Sequence, residues 1–235
     1  MKKGFTLAEV LITLGIVGIV AVLTIPSVMK NYKNRLYTAQ LEKVYAQLNE
    51  ATQAIMNDER VDSFYETKAN GTDKCTDNNK QNCTGGLPYF LSTYLEPVKK
   101  NCAKGDNDEI CVAGGTTSSY KYIDGSDAGG IGSGTYCIQL ASGAAICGFH
   151  NPGNKCTSLV VDVNGQAAPN IVGRDVFSMD IHKNGSISDY SSGCADNNFG
   201  CTADRCNAGG AGDGIYGSAC GCLTAVMEAG WKMEY

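Results

Sequence analysis

The chain has 235 residues, a formal net charge of −5 and 18% charged residues. An acidic chain without a basic run excludes a general electrostatic affinity for DNA or anionic lipid, so no nucleic-acid partner is expected. Twelve cysteines and 29 glycines point to a loop-rich domain whose modest core is reinforced by cross-links.

The first predicted element is a membrane-length helix. Lys2 and Lys3 precede Gly4, and Phe5 to Ile25 then carries a single charge, Glu9. A hydrocarbon core about 30 Å thick takes roughly 20 helical residues to cross, and the paired lysines favour a cytoplasmic N-terminus. A carboxylate inside such a segment is expensive and calls for a partner. The apolar run exceeds that of an ordinary secretory signal, and no A-x-A site closes it.

The stretch Gly4-Phe5-Thr6-Leu7-Ala8-Glu9-Val10-Leu11-Ile12 resembles the processing site of type IV prepilins and type II secretion pseudopilins. The resemblance implies a leader of residues 1–4, cut by a prepilin peptidase between Gly4 and Phe5, with N-methylation of Phe5. Loss of Lys2 and Lys3 would take the mature charge from −5 to −7. It also implies that Glu9 meets the Phe5 amine of a neighbouring subunit, since an opposite charge offsets much of the cost of a charge in an apolar core. The implied partners are identical or homologous pilin subunits, an inner-membrane assembly platform and a separate ATPase. The implied location is the bacterial inner membrane, single-pass, then an extracytoplasmic filament. Gly18 and Pro26 mark a helix break that the family shows in assembled filaments, consistent with proline's missing N–H. Major pilin, minor pilin and pseudopilin stay undistinguished. A tip subunit gripping a surface, DNA or an exported substrate is the alternative. A membrane-anchored extracytoplasmic enzyme is a further one.

After the core helix 5–26, a helical period continues through a stalk at 27–57. Leu36, Leu41, Val44, Leu48, Ala51 and Ile55 form one apolar stripe, a face suited to packing on a sheet. Residues 58–119 are a variable, cysteine-containing region with polar turns near Asn70 and a short helix within Leu87–Val98, ended near Pro97. Tyr89, Phe90 and Tyr94 read as core more than as a binding patch.

Residues 120–235 turn to strands. Thr135–Leu140 and Ala144–Phe149 flank a hairpin turn, Ser158–Val163 ends at Asn164-Gly165, and Val176–Ile181 runs through Lys183-Asn-Gly to a partner at Ser186–Ser188. Successive hairpins make an antiparallel sheet. With the long N-terminal helix on it, the fold class is α+β, pilin-like, with disulfide-rich loops. Asp196–Gly217 reads as an exposed loop that buries little and is pinned by disulfides. Cys220 onward reads as a short helix stopped at Gly230, then a terminal strand, with Trp231 packed on the domain.

Cys75, Cys83, Cys102, Cys111, Cys137, Cys147, Cys156, Cys194, Cys201, Cys206, Cys220 and Cys222 all lie beyond the membrane segment. An even set on the exported side reads as disulfides, with pairing undetermined; zinc is disfavoured because no paired C-x2-C spacing exists. Cys220 and Cys222 are expected to pair elsewhere than with each other. Asp162, Asn164 and Asp175 are candidate calcium ligands, weighed against a hairpin turn in which Asn-Gly supplies positive φ and Asp162 caps it. A second, weaker calcium candidate is the loop carrying Asp196, Asp204 and Asp213. No other cofactor is expected. His150 and His182 sit in no nucleophile motif, and no Walker loop is present, so the chain is expected not to be an enzyme.

Overall fold

The computed structural model describes residues 4–77, 80–103, 110–113, 120–131, 135–149, 156–190, 201–207 and 214–235. His150, Cys194, Asp196 and Asp213 lie outside the described residues. The chain forms two compact units, Met1–Leu36 and Tyr37–Tyr235.

The first unit is helical. Helix α1 (Leu7–Glu59) begins in it and contains Pro26. Its apolar side chains from Val10 to Met29 face outward, and it is long and apolar enough to cross a membrane. Gly18 and Pro26 sit within the continuous helix of the isolated chain. Thr24 Oγ1 donates to Val20 O at 2.9 Å in the turn before Pro26.

In the second unit the same helix changes character. Tyr37, Leu41, Val44, Leu48, Ala51, Ile55 and Met56 are buried, which is the stripe read from the period. Two side chains tie this part of the helix to the sheet: Thr52 Oγ1 donates to Gly185 O at 2.8 Å, and Tyr45 Oη to Ile187 O at 3.3 Å. The helix runs past Ile55 to Glu59 and stops without glycine. Arg60 takes a left-handed φ of +56°, its N–H bonds Asn57 O, and the Val61 N–H bonds Met56 O. This is the Schellman pattern with arginine at the usual glycine position.

The sheet has six strands in the order β10-β9-β8-β7-β6-β3, all antiparallel. They are β3 (Lys99–Lys100), β6 (Tyr136–Gln139), β7 (Ala145–Phe149), β8 (Cys156–Asp162), β9 (Val176–His182) and β10 (Ile187–Asp189). Two small hairpins stand apart, β1 (Lys74–Cys75) with β2 (Cys83–Gly85), and β4 (Tyr120–Lys121) with β5 (Asp127–Gly129). The edge strand β3 comes from the variable region: Lys99 and Lys100 pair with Gln139 and Ile138. Two lysines carry no apolar alternation, so the strand had no signature in the sequence.

Register divides the sheet into two faces. One carries Tyr136, Ile138, Ile146, Leu159, Val161, Phe177, Met179 and Ile181. Gly148 lies on it, and a Cβ there would come within 2.7 Å of Leu87 Cδ2. That close approach seats helix α2 (Leu87–Tyr94) on the apolar face. The opposite face carries Cys137, Cys147, Ser158, Asp162, Ser178 and Asp180. All seven residues of β8 are buried, so both faces are covered. The expected alternation is therefore blurred. Phe90 packs edge-on to Phe64 at 5.2 Å and against Tyr94 at 6.1 Å, so Phe90 is in the core while Tyr89 and Tyr94 pack half-buried against it.

Two expectations for the C-terminal part are corrected. The described residues of Asp196–Gly217 are not an exposed loop: Ala203–Asn207 is a 3₁₀ turn, α3 (Gly214–Ser218) packs on β8 and β9, and Ile215 and Tyr216 are buried. Disulfides Cys201–Cys220 and Cys206–Cys222 hold this segment to the start of α4 (Cys222–Glu228). Nor is there a terminal strand. Gly230 ends the helix at φ +66°, Trp231 follows at φ +59°, and residues 231–235 form no ladder. A left-handed residue cannot extend a strand; Trp231 instead tilts onto Tyr45 at 5.4 Å between ring centroids.

Candidate functional site

The start of α1 is built around Glu9. Thr6 occupies the N-cap position and Glu9 the third helical position. The Thr6 N–H and Oγ1 each donate to Glu9 Oε2 at 2.8 Å, and the Glu9 N–H donates to Thr6 Oγ1 at 3.3 Å. This reciprocal capping box satisfies donors that the helix start would leave open, and the carboxylate also sits where the helix dipole favours negative charge. Phe5, one residue before the cap, is 89% exposed, and Gly4 is exposed too. The Gly4–Phe5 bond, where the sequence reading expects cleavage, is thus at the open end of the helix, and Phe5 lies four residues before Glu9. Both of these bonds to the Glu9 carboxylate use Oε2, on the side of Thr6. Thr6 was missed as a site residue; the T-x-x-E spacing of a capping box was the available signal.

The candidate calcium ligands are brought together within the sheet unit. Asp162 and Asp175 are both buried. Asp162 Oδ2 accepts from Tyr120 Oη at 3.0 Å, and Oδ1 from the Asn164 N–H at 3.3 Å. The Asp175 carboxylate accepts the Asn170 and Ile171 N–H groups at 2.8 and 2.7 Å. Asn164 Nδ2 donates to Ala168 O, while its Oδ1 accepts no bond. Burial pushes Asp162 well above the usual carboxylate range, with the Asp175 charge adding to it. Burial raises Asp175 as well. The carboxylate oxygens are thus engaged by donors of the chain itself, the arrangement of a hydrogen-bonded turn. Among the described residues no group of three or more His, Cys, Asp or Glu is placed to hold a metal. Tyr120, buried and also raised by desolvation, joins this cluster without any spacing signal in the sequence.

Asp189 is a further buried carboxylate. It reaches from β10 to the start of α4, accepting the Gly221 N–H at 3.0 Å and the Thr224 N–H at 2.8 Å. Desolvation pushes it up to about 6 despite these bonds.

The cysteines form disulfides at Cys75–Cys83, Cys102–Cys111, Cys137–Cys147, Cys201–Cys220 and Cys206–Cys222. Cys156 is disulfide-bonded as well. Cys137 and Cys147 are direct partners across β6 and β7, with Cα atoms 4.1 Å apart. His182 Nε2 lies 2.6 Å from Ser188 Oγ, a pair that links neighbouring strands.

Residues 1–25 match the model of the prokaryotic N-terminal methylation motif, the signal motif of type IV pilins and pseudopilins. A chain with that motif, an apolar N-terminal helix and an α+β domain is a pilin-like or pseudopilin-like, membrane-anchored secreted subunit. Residues 27–194 match a second model, described as a family of unknown function (DUF6613), and the chain belongs to that family. No curated protein matches the chain, and no solved structure does.

Proposed function

We propose that this chain is a structural subunit of a type IV pilus or type II secretion pseudopilus. A prepilin peptidase cuts it between Gly4 and Phe5, Phe5 is N-methylated, and the subunit moves from the inner membrane into a helical filament. An assembly platform and a separate ATPase drive that movement. The observation that carries the reading is the Thr6–Glu9 cap at the exposed head of an apolar helix. Before assembly the cap gives the carboxylate polar partners inside an otherwise apolar segment. After cleavage the amine on Phe5 is positive, and a neighbour's Glu9 is the charge that offsets it. The contact sets the axial register of the subunits. The globular domain stays on the outside.

Intact-mass measurement of the exported protein tests this. The expected result is loss of Met1–Gly4 together with a methyl group on Phe5. Recovery of the protein from the envelope with the leader retained would overturn the reading.

A further inference from the structure

We propose that the groove between α1 and α2 is a socket for the basic segment Val28–Lys33 of a second copy of this chain; the proposal rests on the filament reading above. The groove has a volume of about 320 Å³ and is lined by Gln47, Glu50, Ala51, Ala54, Tyr94, Leu95 and Glu96. Its floor is apolar, with Ala51 and Leu95 buried. Its rim is acidic. Glu50 and Glu96 are exposed, and among the described residues the ion pair found lies elsewhere, between Lys80 and Asp73. Tyr94 Oη donates to Asp58 Oδ2 at 3.2 Å, which extends the acidic rim by one more turn of α1. Gln47, which also lines the groove, has its Oε1 buried and without a hydrogen bond. Glu96 takes a left-handed φ of +46° just after α2, a position where glycine is usual. A glutamate held there against its backbone preference sets a carboxylate on the rim.

The occupant follows from charge and exposure. Residues 27–43 hold Lys30, Lys33, Arg35 and Lys43 against one acid, Glu42, whereas residues 44–66 hold Glu50, Asp58, Glu59, Asp62 and Glu66 against one base, Arg60. Lys30 and Lys33 are exposed, and so are Val28, Met29 and Tyr32 beside them. This segment is too charged for a bilayer core and too apolar to favour water. A groove with an apolar floor and an acidic rim complements it in both respects. In a filament of parallel subunits the basic segment of one copy meets the domain of another, with ammonium groups on Glu50 and Glu96 and the apolar side chains on Ala51, Ala54 and Leu95.

Zero-length carbodiimide coupling of purified wild-type filaments, read by mass spectrometry, is the first test. Intermolecular bonds from Lys30 or Lys33 to Glu50 or Glu96 are expected. Charge reversal is the second. Glu50→Lys with Glu96→Lys, or Lys30→Glu with Lys33→Glu, lowers filament yield by about tenfold or more, with leader cleavage and disulfide content unchanged. The fourfold exchange restores most of the yield. Filaments that form normally but couple through other lysines, or whose yield ignores both reversals, overturn the socket and leave the filament reading standing. Coupling of these glutamates to a different protein replaces the second copy as occupant and also overturns it. Wild-type protein that never polymerises overturns both readings.

Discussion

One helix serves two regions with opposite surroundings. Leu14 is 63% exposed and Leu48 is 0% exposed, although both are leucines on α1. The domain part has its partner already: the sheet, two side-chain bonds at Thr52 and Tyr45, and an apolar stripe one face wide. The N-terminal part is apolar around its circumference and has no face to choose. Local helix propensity therefore treats the two alike, and only what covers them differs. A bilayer or neighbouring helices must do for the first region what the sheet does for the second.

The largest expected effect is at Glu9. Glu9→Gln should lower filament yield by about a hundredfold or more, the scale of leaving a buried charge unpaired, with the domain's urea midpoint unchanged. A normal yield would remove the assembly role. Next, Leu48→Ala should destabilise the domain by about 2–5 kcal/mol, since it empties a filled core position. Leu14→Ala in detergent should leave the same unfolding curve unmoved. Equal effects would mean that the two regions do not differ as described.

The third test concerns pH and the domain alone. Asp189 is raised by desolvation to about 6, while an unfolded aspartate titrates at about 3.9. The folded state therefore binds more protons between those values. The contribution is fully present below about 4 and is lost as pH rises through about 6. Asp162 and Asp175, raised by burial, act in the same direction. Chemical denaturation at pH 5 and pH 7 should show this part of the stability falling by roughly 1–3 kcal/mol, and Asp189→Asn should flatten the slope. A domain that gains stability over that interval through Asp189 would contradict the burial assigned to it. The smallest effect is expected from calcium. With the Asp162 and Asp175 oxygens engaged by chain donors and a hard cation wanting 6–8 oxygens, millimolar calcium should shift the melting temperature by less than about 1 °C. A larger shift would make Asp162, Asn164 and Asp175 a cation site.

The unevenness of the sequence record has physical causes. Strands β6 to β10 were legible because alternation and Asn-Gly or Ser-Gly turns are local signals, and the stalk stripe was legible because burial on one helix face repeats with its period. Strand β3 was not, because Lys99 and Lys100 join the sheet only when Ile138 and Gln139 are beside them. The stalk was bounded at 57, two residues short of its end at Glu59, because Arg60, not glycine, takes the left-handed position. The segment around Ile215 and Tyr216 was read from its glycines as exposed and pinned by disulfides; the disulfides are there, but the segment also packs on the sheet and is buried. At the helix start Glu9 stood out as the one charge of an apolar segment and Gly4 and Phe5 through the resemblance to prepilins, while Thr6 went unread although its T-x-x-E spacing to Glu9 is a local signal.

By itself the sequence determined the apolar helix with its lone carboxylate, the methylation motif, the amphipathic stalk and the order of hairpins. Each of these is a property of neighbouring residues. The tertiary structure alone decided which cysteines meet, that Tyr120, Asp162 and Asp175 share a buried cluster, that Asp189 caps α4, and that an acidic groove opens between α1 and α2. Those arrangements join residues far apart along the chain, so no local period or spacing encodes them until the core has packed.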